Sequence, residues 1–84
     1  MAVDDLHQAK VGMATLIALV VQTLNETDQS FQARFLERCG RAYGEYRDNS
    51  ENDPMHILEL LNWTRELLTG WNPIQGQGKP FLED

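Results

Sequence analysis

Residues 11–21, VGMATLIALVV, constrain this chain more than any other stretch, because they are too apolar for the outside of a small monomer. At 100° per residue the large side chains do not keep to one side of a helix. One seam runs through Leu6, Ala9, Met13, Leu16, Ile17, Val20 and Leu24. A second runs through His7, Val11, Ala14, Ala18, Val21 and Asn25, and only Gln8, Thr15 and Gln22 leave a polar line for water. A helix apolar nearly all round is normally enclosed by neighbours, and 84 residues supply few of them. The expectation is a homodimer, or a surface awaiting a partner.

Length sharpens the point. A single domain spanning residues 1–84 buries only about 60–65% of its unfolded surface, so its own core is marginal. Disulfides, metals or oligomerisation normally make up such a deficit. Cys39 is the sole cysteine, which rules out an internal disulfide and a cysteine-based zinc cluster. Oligomerisation remains. An unpaired thiol also fits a reducing compartment, so the expected location is cytoplasmic.

The formal charge is −6, and the seven Lys and Arg residues are scattered. That balance disfavours nucleic acid, which needs a cationic footprint, and disfavours anionic membrane surfaces. The start MAVDDLHQAK has acids where a secretory leader has bases, and the apolar run is too short to cross a bilayer. No membrane partner is expected.

Three helices are legible. The first is expected over residues 5–25, begun by Asp4 or Asp5 accepting bonds from free N–H groups of its first turn. Gly12 within it, near Ala9, Ala14 and Ala18, points to a close helix approach. The second is expected over residues 29–48, with Phe31, Phe35, Cys39, Ala42, Tyr43 and Tyr46 on one face. Asp48 to Asn52 reads as a loop. The third, over residues 54–69, has Asp53 as N-cap, Pro54 at its first position and Gly70 as a left-handed stop. Ile57, Leu60, Leu61, Thr64, Leu67, Leu68 and Trp71 line its apolar face. Residues 71–84, WNPIQGQGKPFLED, hold too many Gly and Pro to stay helical. Trp71, Ile74, Phe81 and Leu82 are the side chains expected to anchor that tail on the same subunit or its neighbour. The fold class is therefore all-α, a three-helix domain with an extended C-terminal tail, dimerising through helix 1. The small residues of the second seam place the dimer interface at Val11, Ala14, Ala18 and Val21.

Catalytic signals are sparse. His56 and Glu59, three apart on one helix, could share a proton or a metal, but a closed site would also need His7 brought close by the fold. Acid pairs that hold magnesium in all-helical nucleotide pyrophosphohydrolases repeat on adjacent helices, and here only Glu45 and Asp48 have the spacing. The segment Gly76-Gln77-Gly78-Lys79-Pro80 resembles a phosphate loop only superficially, since it lacks the upstream glycine, the Ser or Thr and the following helix. Cys39 sits on an apolar helix face, where thiols are usually inert. No catalytic residue, metal or cofactor is assigned. Arg34, Arg38 and Arg41 share a stripe of helix 2, either a salt-bridged solvent face or a surface for an acidic partner. With Phe81 and Leu82 they form the possible partner surface.

The function expected is interaction: a non-enzymatic, homodimeric regulatory or accessory subunit that binds another protein. Two alternatives make different demands. An acidic inhibitor mimicking nucleic acid needs Asp48, Glu51, Asp53, Glu59 and Glu66 arrayed on one exposed face. A helical enzyme with its site at the dimer interface needs a polar pocket containing His56 or Cys39.

Overall fold

Apolar periodicity and turn residues resolve into three helices and a short hairpin. The computed structural model describes residues 3–49 and 53–83. The helices are α1 (Val3–Thr27), α2 (Phe31–Asn49) and α3 (Met55–Thr69), followed by β1 (Trp71–Asn72) and β2 (Gly76–Gln77). Among the described residues no helix is long and apolar enough to cross a membrane.

Helix α1 is already helical at Val3, so Asp4 and Asp5 lie inside it and not at its cap. The α1–α2 turn is built from side chains. Asp28 accepts from the Ser30 amide and hydroxyl, and Asn25 accepts from the Gln32 amide at 2.9 Å. Regular α3 begins one residue later than expected, so Pro54 and not Asp53 occupies the cap position. The Asp53 carboxylate still accepts the Met55 N–H at 3.1 Å, the bond that the Asp-Pro start implied. Gly70 ends α3 in the left-handed conformation, φ 78°, its N–H donating to the Glu66 carbonyl.

The second seam of α1 faces inward. Ala14 and Ala18 are fully buried, and Val21 nearly so, and Ala18 and Val21 join Leu68 in the core. Phe31, Phe35 and Leu36 of α2, with Leu67 of α3, close around that cluster. Lys10 of α1 meets His56 and Glu59 near the start of α3, while Val21 meets Leu68 near its end, so the two helices run in the same direction. Helix α2 contributes no fully buried residue; its expected face is half-buried, and Tyr46 is exposed. Gly12 marks no close approach within the subunit, since a Cβ there would meet nothing within 4 Å.

The tail departs most from expectation. It is not a featureless strand pinned by side chains but an antiparallel hairpin, with Trp71 paired to Gln77 and Asn72 to Gly76. Asn72 makes its turn by accepting from the amides of Ile74 and Gln75. Main-chain bonds then fix it to α3: Gly78 N–H to the Gly70 carbonyl at 2.6 Å, and Phe81 N–H to the Leu67 carbonyl at 2.7 Å. Gln22 of α1 donates to the Phe81 carbonyl. Of the four expected anchors only Phe81 is half-buried; Trp71 is half exposed, Ile74 is 93% exposed and Leu82 71% exposed.

Two substitutions test this construction. A Cβ on Gly70 would lie 2.5 Å from the Gly78 carbonyl oxygen, on top of its positive φ. Gly70→Ala is expected to cost at least about 1–3 kcal/mol by urea unfolding. Gly76→Ala, with positive φ but open space around it, should cost only about 1 kcal/mol. Phe81→Ala should cost about 1–3 kcal/mol and Leu82→Ala under about 0.5 kcal/mol. Equal costs within either pair would contradict the geometry described.

Candidate interaction surface

With the small-residue seam turned inward, the first seam of α1 is left outside. Leu6, Met13, Leu16, Ile17, Val20 and Leu24 are all exposed, Leu16 by 65% and Val20 by 57%. They occupy consecutive turns of one face together with Ala9. The strip continues sideways into a shallow groove of about 250 Å³ lined only by Leu16, Ile17, Val20, Val21, Phe31 and Phe35. Scattered surface leucines are ordinary, but here the exposed apolar side chains form a contiguous strip with an adjoining groove.

The expected interface residues fall elsewhere. Ala14, Ala18 and Val21 lie in the subunit's own core and have no surface to offer a second chain. The reason is steric: alanines let α3 come close to α1 as readily as they would let in another copy. Val11 is exposed, on a cleft of about 480 Å³ under the hairpin that Trp63, Leu67, Trp71 and Phe81 also line, with Glu66 and Lys79 among its polar groups.

Polar chemistry concentrates at the other end of the α1–α3 contact. The Lys10 ammonium, only 7% exposed, donates to Nδ1 of His56 and to Oε2 of Glu59, both at 2.7 Å. Lys10 also sits 5.1 Å from the Trp63 ring centroid, and the His7 ring packs edge-on against Trp63 at 5.3 Å. The fold thus gathers His7, His56 and Glu59 around one region, as a metal site would have required, but Lys10 supplies the positive charge. Among the described residues no three His, Cys, Asp or Glu side chains converge as metal ligands. The Lys10 hydrogen bond holds the Glu59 carboxyl below its usual value, against partial burial, which acts the other way.

The remaining charged candidates are occupied or dispersed. Arg34 pairs with Asp28 at 2.6 Å and lies over Phe31, and Arg41 pairs with Glu37 four residues back at 2.9 Å. Arg38 is exposed beside them. Both pairs are exposed and screened by solvent, so they add little to stability. The acids named for a nucleic-acid mimic do separate work: Asp48 pairs with Arg47, Asp53 bonds the start of α3, Glu59 holds Lys10 and Glu66 lines the cleft. Glu51 lies outside the described residues. Cys39 is half-buried beside Tyr43, Leu61 and Arg65. Burial pushes its thiol up despite the opposing charge of Arg65, so the nucleophilic thiolate is disfavoured there.

Glu59 yields a pH test. A carboxylate whose folded value is lowered contributes stability above its unfolded value, near 4.5, and loses it as pH falls through the folded one. Melting temperature should therefore drop more steeply below that pH in the wild type than in Glu59→Gln. Parallel pH profiles for the two proteins would show that the Lys10 bond does not couple protonation to folding.

No family model matches the chain, and neither the curated proteins nor the solved structures contain one detectably similar to it, so a functional reading has to stand on the chain's own residues.

Proposed function

We propose that this is a small non-enzymatic interaction protein, a regulatory or accessory subunit that works by holding another protein chain. The supporting observation is the uncovered apolar face of α1 and its groove with α2. Fully burying an aliphatic side chain is worth about 1.5–3 kcal/mol, and six such side chains stand substantially in water here. Covering them is the largest favourable change open to this surface. The face carries no group that transfers protons or attacks a substrate. Lys10 is bonded to His56 and Glu59, and burial raises the Cys39 thiol. Asp48, Asp53 and Glu59 are engaged in bonds within the chain, which is less suited to mimicry of nucleic acid.

Photo-crosslinking in cells tests the reading. A benzophenone amino acid at Leu16 should capture a protein chain, and the same probe at Arg38 on the solvated face of α2 should not. Leu16→Asp should abolish the capture while changing folding stability by no more than about 1 kcal/mol, because the side chain is exposed. Equal capture at both positions, or none at Leu16, would sink the proposal.

A further inference from the structure

We infer that the occupant of the α1 face is a second copy of this chain, packed antiparallel about a two-fold axis between Met13 and Leu16. The inference rests on the reading of this face as an interaction surface and adds its partner and register. Electrostatics come first. Each copy carries a net charge of −6, so two copies repel wherever their charges meet. From Leu6 to Leu24 the only Lys, Arg, Asp or Glu is Lys10, and it is turned inward onto Glu59. The face is therefore the part of α1 on which like-charged copies meet without opposition.

Residue spacing fixes the orientation. Leu6, Ala9, Met13, Leu16 and Val20 alternate steps of three and four, the repeat of two helices lying along one another. In a parallel pair Ala9 would face Ala9 and leave a void, and the helix dipoles would align unfavourably. The antiparallel arrangement sets Met13 against Leu16 of the partner subunit and Ala9 against Val20 of the partner subunit. Leu6 then lies beside Thr23 and Leu24 of the partner subunit, so the two ends of the seam meet. The flexible Met13 thioether is placed to enter the groove formed with Phe31 and Phe35. With the exposed parts of Leu6, Met13, Leu16, Ile17, Val20 and Leu24 all covered, the pair would bury roughly 1,000 Å², the low end for a specific interface. A reversible dimer follows, not an obligate one.

Sedimentation and directed crosslinking test it. At about 100 µM, a concentration at which a reversible dimer is commonly populated, wild type is expected to sediment as a dimer. Leu16→Glu should weaken association at least about 100-fold by setting like charges together, with helical circular dichroism retained. In a Cys39→Ser background, an equimolar mixture of Ala9→Cys and Val20→Cys chains should form the mixed disulfide and neither homodisulfide. The two positions are about 16 Å apart along α1, so a parallel dimer would give the homodisulfides instead. A monomer at this concentration, or homodisulfides in place of the mixed one, overturns the inference. Capture of a different protein at Leu16 by a monomeric chain would overturn it while leaving the interaction reading intact; loss of both would remove both.

Discussion

The close approach of α1 and α3, permitted by Ala14 and Ala18, is the constraint on which the other contacts depend. Two alanines on successive turns leave room for the second helix, and Leu68 fills the space beside them as the large fully buried side chain. Because the two helices run in the same direction, that contact brings separate chemistries together at its two ends. At one end Lys10 reaches Glu59 and His56. At the other, the end of α3 offers the Leu67 and Gly70 carbonyls to the returning tail. Larger side chains on α1 would separate the helices and loosen both ends.

The same contact explains the unfinished exterior. A helix apolar on two faces and supplied with only two neighbours has to leave something in water. Helix α2 covers Val21 and reaches Ile17 through Phe31 and Phe35, and the tail reaches Gln22. Among the described residues nothing extends over Leu16 and Val20, which stay largely exposed. The side chains left out are larger than those enclosed, which inverts the ordinary preference of a core for bulk and gives the exterior of α1 more apolar surface than its interior.

Much of this was legible in the residues. The existence of each helix, the Asp53 bond at the start of α3 and the Gly70 stop follow from local rules that operate within a few residues. The direction of each α1 seam did not, because periodicity shows that a face is apolar without showing what covers it. Alanines at residues 14 and 18 fit a neighbour from the same chain or from another. The role of Lys10 was half visible: it stands off the polar line of Gln8, Thr15 and Gln22, an odd place for a charge on an otherwise uncharged run. What escaped was its partner, 49 residues away. The hairpin also escaped, although Asn72-Pro73 is a turn signal. Its strands are two residues each and owe their place to main-chain bonds rather than to any apolar pattern.

The hairpin tip has a practical consequence. Gly70 and Gly78 touch backbone to backbone, with no room for a Cβ on Gly70, whereas Pro73, Ile74 and Gln75 reach into solvent on the far side of the turn. Constraint and freedom thus sit only a few residues apart in one short segment. The tip is the point at which the chain tolerates an insertion: an epitope, a fluorophore or a short loop spliced at Ile74 would ride on a rigid base without entering the packed interior. The attachment of an otherwise glycine-rich end to the body of the protein thereby turns it into a handle.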